Sequence, residues 1–300
     1  MIYLYKILGF ILIPLIKINI QLRIKKNKEI KSRYKERYGC TNYKFNNNKK
    51  TIWIHAASVG EFKSSDYLIN KYSKNYNILI TTTTVSAAEY ALEHYNDNII
   101  HQFAPLDIDI WINKFLDKWK PSFIIWIESD LWPMTLHNIK KKKIKAILLN
   151  LRLSPKSLKK WKILPSFYNN LLSSFDEIFA QSEIDKQRVK QITHQKINFI
   201  GNLKLISSNQ ILKTSEQIEI NKNSNIELLM LASTHNKEEL LLIPSLKKLL
   251  EEFKNLRLII APRHPGRSKE ILSLCSSYNL KSKLLSRIKN NNFNENKILI

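Results

Sequence analysis

A chain of 300 residues with 44% hydrophobic and 25% charged residues is long enough for two domains with cores of their own, which excludes disorder as its main state. Its formal net charge of +24 implies an anionic partner: nucleic acid, an acidic membrane face or a phosphorylated substrate. Only Cys40 and Cys275 are present, far apart and without metal-ligand spacing, so a reducing environment, no disulfide framework and no metal site are expected.

The amino terminus is apolar from Ile2 to Leu22, interrupted by Lys6, Pro14 and Lys17. Its longest uncharged run, Ile7 to Ile16, is shorter than the roughly 20 residues of a clean membrane span. No small-residue cleavage site follows. Arg23, Lys25, Lys26, Lys28, Lys31, Arg33, Lys35 and Arg37 come next, relieved only by Glu29 and Glu36. Such a cluster favours the cytoplasmic side of a membrane and its anionic lipids. Residues 1–22 are therefore expected to form an anchor, either spanning with snorkelling lysines or lying in the interface, and residues 23–49 a basic juxtamembrane segment.

Residues 52–57 read as a buried strand, Gly60 as the residue permitting a tight turn, and Glu61 as the start of a helical segment running to Tyr72. Short apolar runs then recur at Asn77–Ile80, Ser122–Ile127, Lys145–Leu149, Glu177–Ala180 and Ile197–Ile200. Amphipathic stretches at Ser86–Tyr95, Ile108–Trp119 and Lys156–Leu172 separate them. Strand–helix alternation of this kind builds a mostly parallel sheet with right-handed crossovers, here an amino-terminal domain over residues 50–206. Residues 207–225 carry no clear apolar face and read as a linker. In residues 226–300 the alternation resumes: strands at Glu227–Leu231 and Leu256–Ala261, helices at Lys237–Phe253 and Arg267–Tyr278, an Asn-rich loop at Asn290–Asn296, and the beginning of a strand at Ile298–Ile300.

Several strand ends carry polar clusters. Glu61 follows the first, Thr81–Thr84 the second, Glu128-Ser129-Asp130 a later one, and Asn150-Leu151-Arg152 and Gln181-Ser182-Glu183 the next two. Each has a purely structural explanation: Thr84 and Ser182 as helix N-caps, Asp130 or Glu61 as an anion in a first helical turn. Together they put Glu61, Glu128 and Asn150 on one rim, because the βα loops after parallel strands open on the same side.

The segments His55-Ala56-Ala57-Ser58-Val59-Gly60-Glu61, Thr81–Thr84, Pro105-Leu106-Asp107, Glu128-Ser129-Asp130-Leu131-Trp132-Pro133, Asn150-Leu151-Arg152-Leu153-Ser154, Ala180–Glu183, Gly201-Asn202-Leu203-Lys204, Ser233-Thr234-His235 and Pro262–Pro265 fall in the order seen in 3-deoxy-D-manno-octulosonic acid (Kdo) transferases, which this chain resembles from residue 1 to about 270. Tyr34–Gly39 resembles the family's amino terminus.

The resemblance implies an α/β fold of GT-B type, with two Rossmann-like domains of mostly parallel sheets. The first holds the lipid acceptor and the second the nucleotide sugar. It implies inverting transfer of Kdo from CMP-Kdo to a lipid A precursor, lipid IVA, in lipopolysaccharide core synthesis, at the cytoplasmic face of the inner membrane and without a cofactor or metal. On this resemblance Glu61 is the general base, Glu128 and Lys204 stabilise the transition state, and Arg263 and His264 contact CMP, with Ser233, Thr234 and His235 also on the donor side. The family's glycine-rich segment and His-Asn-x-x-Glu-Pro-type motif have no counterpart here, so the second domain is expected to be partial. The alternative function is a truncated, non-catalytic membrane-bound remnant that binds lipid A. A nucleic-acid-binding role has only the charge behind it, since no binding motif or aromatic-interleaved basic cluster is present.

Overall fold

The computed structural model describes all residues except 46–47, 96–98, 129, 206–225 and 286–296. Two compact units result, Met1–Lys213 and Thr214–Ile300. The expected linker, residues 207–225, and the Asn-rich loop, residues 290–296, fall outside the described residues.

The first unit is built on seven strands: β1 (Thr51–His55), β2 (Asn77–Thr82), β3 (Ile99–Phe103), β4 (Phe123–Ile127), β5 (Lys145–Leu151), β6 (Glu177–Ala180) and β7 (Ile197–Phe199). They lie in the order β3-β2-β1-β4-β5-β6-β7, and every pairing is parallel. The near-continuous apolar runs of β1, β2 and β4 follow from burial on both faces. Successive residues point to opposite faces, so Trp53, Leu79, Ile124 and Trp126 enter one core while Ile52, Ile54, Ile78, Ile80, Ile125 and Ile127 enter the other.

Eleven helices of the described chain are α1 (Ile2–Ile11), α2 (Ile13–Lys25), α3 (Val59–Tyr72), α4 (Val85–His94), α5 (Asp109–Trp119), α6 (Pro133–Lys141), α7 (Pro155–Trp161), α8 (Pro165–Leu172), α9 (Glu183–Lys190), α10 (Glu238–Glu252) and α11 (Ser268–Ser277). The stretch Lys156–Leu172, expected as one amphipathic segment, is two helices. Pro165 lacks an N–H and drives Leu164 out of the helical region, to φ −133° and ψ 57°. Strand β3 and helices α6 and α9 escape a periodicity reading because they are short and polar-rich.

Among the described residues no single helix is long and apolar enough to cross a membrane, although α1 and α2 pass together as a pair bent by 60°. Pro14 opens α2 just after the bend. Helix α1 packs against the protein: Lys6 Nζ lies 2.7 Å from Asp109 Oδ2, and a Cβ on Gly9 would meet Ile108 Cδ1 at 3.0 Å. Most of its apolar side chains remain exposed, among them Leu4, Ile7, Leu8, Phe10 and Ile11.

The basic segment divides in two. Lys25, Lys26, Lys28, Lys31 and Lys35 are exposed. Arg37 is buried, with Glu29 3.1 Å from its Nη2, and Arg33 donates to both oxygens of Glu36 at 2.7 and 2.9 Å. Glu29 and Glu36 therefore do more than dilute the charge; they are the buried partners of two arginines that tie the segment to β3 and its loop. Gly39 ends this stretch at φ 69°, where a Cβ would collide with the carbonyl oxygen of Trp111.

The second unit has β8 (Glu227–Thr234), β9 (Leu256–Pro262), β10 (Ser282–Lys283) and β11 (Ile298–Leu299), in the order β10-β11-β9-β8 and all parallel. Its core joins Ile243, Leu246 and Leu250 of α10 to Leu258, Ile260, Ile271, Cys275 and Ile298. The apolar residues after the Asn-rich loop thus supply an inserted strand of the sheet. Both units are Rossmann-like α/β layers, the GT-B type of fold.

Candidate active site

In the first sheet the strand order reverses between β1 and β4, and ligands of open α/β sheets bind beyond the carboxyl ends of the strands at such a point. Glu61 follows β1 and Glu128 follows β4, so the switch point is flanked by two carboxylates. Strand β1 stops at His55 rather than residue 57, and the turn is made by residues 56–58. Gly60 is not the turn residue: it is the second residue of α3, which Ser58 caps by accepting from the Glu61 N–H.

The Glu61 carboxylate folds back over the start of α3, one residue beyond the reach of a standard capping box in Ser58-Val59-Gly60-Glu61. Its Oε2 accepts from the Ala57 N–H at 2.7 Å and its Oε1 from the Ser58 hydroxyl at 3.0 Å. The structural explanation for Glu61 therefore holds. Burial, reinforced by the Glu128 charge and opposed by the Ala57 N–H, pushes its carboxyl pKa up to about 6. A half-buried carboxylate with that pKa is matched to proton abstraction near neutrality.

Glu128 and Asn150 both sit at the ends of adjacent strands with left-handed backbones, φ 63° and 59°. A left-handed residue at a strand end turns the chain sharply across the rim. Asn150 Nδ2 donates to Glu128 Oε1 at 3.3 Å and its Oδ1 accepts from the Leu203 N–H at 3.1 Å. This second bond fixes the segment carrying Lys204, whose Nζ lies 2.5 Å from Glu128 Oε1. Glu61, Glu128 and Lys204 are thereby gathered on one rim of one unit. Asn150 is the residue that links Glu128 to the Lys204 segment, and it was legible only as a polar strand end.

The polar clusters around the rim divide between scaffold and site. Thr84 and Ser182 cap α4 and α9 as expected. Asp130 is not the first-turn anion of α6; its carbonyl accepts from Trp126 Nε1, and Asp107 takes that place by accepting from the Met134 and Thr135 N–H groups. His55, the first residue of the opening motif, is fully buried against the Trp126 ring at 4.1 Å, with Nδ1 2.9 Å from Thr81 Oγ1. Burial lowers its pKa to about 3.

The donor-side candidates lie at strand ends of the second unit. Ser233 (φ 60°), His235, Arg263 and His264 lie at or near the surface, and the Arg263 N–H donates to the Thr234 carbonyl at 3.0 Å. Thr234 is buried and its hydroxyl donates to Glu239 Oε1 at 2.5 Å. Glu239 in turn accepts from two Arg267 nitrogens at 3.0 and 2.7 Å. That bidentate pair is the feature the sequence left hidden, since its partners come from separate segments. Among the described residues no group of three His, Cys, Asp or Glu side chains could hold a metal ion.

Residues 32–207 match the family model of 3-deoxy-D-manno-octulosonic-acid transferase (kdotransferase). A 3-deoxy-D-manno-octulosonic acid transferase of Rickettsia bellii is 34% identical over 284 residues, which are 93% of this chain and 68% of the relative. One from Haemophilus influenzae is 29% identical over 91% of this chain and 65% of the relative. The chain spans only 51% of the Rickettsia felis enzyme, with which it shares 36% identity over 77% of its own length. Among solved structures, UDP-GlcNAc 2-epimerase from Neisseria meningitidis bound to UDP-GlcNAc aligns at a TM-score of 0.52 and 19% identity, covering 76% of this chain and 69% of that one, a likeness of fold alone. With these matches spanning the rim that carries Glu61 and Glu128, the chain belongs to the 3-deoxy-D-manno-octulosonic acid (Kdo) transferase family.

Proposed function

We propose that the chain acts as an inverting glycosyltransferase that moves Kdo from CMP-Kdo to a lipid A precursor, lipid IVA, in lipopolysaccharide synthesis. The observation that carries this reading is the raised, half-buried Glu61 carboxylate at the strand-order switch point beside the Glu128–Lys204 pair. As the acceptor hydroxyl attacks the anomeric carbon of Kdo, Glu61 takes its proton. The carbon–oxygen bond to CMP breaks as the new bond forms on the opposite face, and CMP leaves with the electron pair. Glu128 faces the positive charge that grows at the anomeric carbon, and Lys204 offsets the negative charge that grows toward the leaving phosphate.

On this reading Arg263 and His264, with Ser233 and His235, contact the donor nucleotide; a guanidinium at a strand end suits a phosphate. Because Thr234 is buried, it acts by holding the Ser233 and His235 backbone in place through Glu239. The bent apolar pair α1–α2 and the exposed lysines that follow it rest on the anionic cytoplasmic face of the inner membrane. Incubating membranes that contain only this chain with CMP-Kdo and lipid IVA tests the reading. Formation of a Kdo-bearing lipid supports it, whereas saturable lipid IVA binding without product favours the binding remnant.

A further inference from the structure

Strand β8 leaves its sheet out of step. Its parallel register with β9 runs from Glu227 opposite Leu256 to Ala232 opposite Ala261, then slips, so that Thr234 stands opposite Pro262. Ser233 takes up the slip with a left-handed backbone at φ 60°. A residue with a Cβ keeps that conformation only where its surroundings over-determine it. The slip also sorts the residues, since Ser233 and His235 are exposed while Thr234 between them is buried.

A single carboxylate holds this turn. Glu239, in the first turn of α10 and 1% exposed, accepts from the Thr234 hydroxyl through Oε1 and from Arg267 through both oxygens. The Thr234 carbonyl accepts in turn from Arg267 Nη1 at 3.3 Å and from the Arg263 N–H at 3.0 Å. The segment from Arg263 to Arg267 is thereby fastened to Thr234 at both of its ends, and Arg263 and His264 within it are exposed. The ends of β8 and β9, the start of α10 and the approach to α11 all meet at the Glu239–Arg267 pair. A buried ion pair contributes little net stability, because desolvation offsets its attraction; fixing the register of the parts it joins is its better-attested use.

We propose that Glu239 and Arg267 are positioning residues for the nucleotide of the donor. Without touching it, the pair sets the Ser233–His235 turn and the Arg263–His264 turn in one relation. Hydroxyl, imidazole and guanidinium groups from two neighbouring strand ends are then in place before a nucleoside monophosphate unit arrives. Groups ordered in advance lose less freedom on binding, and the difference shows as affinity. The inference rests on the donor-side reading proposed above and adds to it the two residues that make that surface rigid.

The test is calorimetric titration of the full chain with CMP, alongside hydrogen exchange read by peptide mass spectrometry. Arg267→Lys keeps the positive charge but loses the two-point geometry. The double variant Glu239→Gln, Arg267→Gln removes both charges, so that neither is left buried alone. CMP affinity should fall roughly tenfold in the double variant and several-fold in Arg267→Lys, with lipid IVA binding unchanged. Peptides covering residues 233–236 and 263–267 should exchange together about tenfold faster, while the strand interior at Leu258 and Ile260 keeps its protection. Glu270→Gln removes the more exposed carboxylate beside the same guanidinium and should change neither readout. Affinity within about twofold of the parental value in a folded variant overturns the inference, as does faster exchange spread through the whole second sheet, which makes the pair structural alone. Arg267→Lys decides the matter if the double variant does not fold. A parental chain that binds no CMP overturns the donor-side reading together with the inference, whereas parental binding that both variants retain overturns the inference alone.

Discussion

Lys204 Nζ lies 2.5 Å from Glu128 Oε1, and the Asn150 side chain holds both partners, one through its amide nitrogen and the other through the backbone of Leu203. The lysine side chain is 45% exposed, so solvent screens the pair and its worth to folding is at most about 1 kcal/mol. Lys204→Met should therefore shift the denaturation midpoint little while lowering the rate of Kdo transfer by roughly tenfold or more. Equal losses of stability and rate would make the pair structural.

Gly39 allows a sharper stability test. At its φ of 69°, a side chain would run into the Trp111 carbonyl, and the obstacle is backbone that cannot rotate aside. Gly39→Ala should cost roughly 2–4 kcal/mol in urea denaturation, combining left-handed strain with displacement of α5. A cost below about 1 kcal/mol would show that the loop relaxes freely.

Gly9 tests how α1 is held. A Cβ there meets the flexible end of Ile108 at 3.0 Å, so Gly9→Ala should be tolerated, whereas Gly9→Leu should lift α1 from α5 and strain the Lys6–Asp109 contact. Hydrogen exchange of α1 amides should then quicken several-fold in the leucine variant alone.

His55 gives a pH dependence of defined sign. Its folded pKa of about 3 lies below the ordinary 6.5, so the unfolded chain binds the extra proton between those values. The stability this histidine confers is complete above pH 6.5 and is lost as pH falls toward 3, by roughly 1 kcal/mol per pH unit. Urea midpoints at pH 7 and pH 5 check this, and histidine NMR resonances should show the buried ring still neutral at pH 5.

Much of the fold was legible because β1, β2, β4 and β5 are buried on both faces and therefore read as unbroken apolar runs. Rim residues were legible as polar groups just beyond those runs. What escaped depends on contacts between segments distant in sequence. Arg33 and Arg37 look like further members of a basic cluster until Glu29, Glu36 and His101 are seen around them. Asp107 looks like a loop residue until it caps α6, and Glu239 like a helix-start anion until Arg267 closes on it. Charge counted along a chain cannot separate a lysine in solvent from an arginine folded onto a carboxylate.

The most direct measurement of the central claim is the pH–rate profile of Kdo transfer for the parental chain and Glu61→Gln. With the Glu61 carboxyl raised to about 6, the parental rate should climb as pH passes through that value and the base becomes ionised. Glu61→Gln keeps the size of the side chain and one acceptor for the capping bonds, so lipid IVA binding and melting should change little. Its rate should fall by roughly 10² or more, and the limb near pH 6 should vanish. A glutamine variant that transfers Kdo at near the parental rate, with the same limb, would leave Glu61 as a helix cap alone and contradict the mechanism.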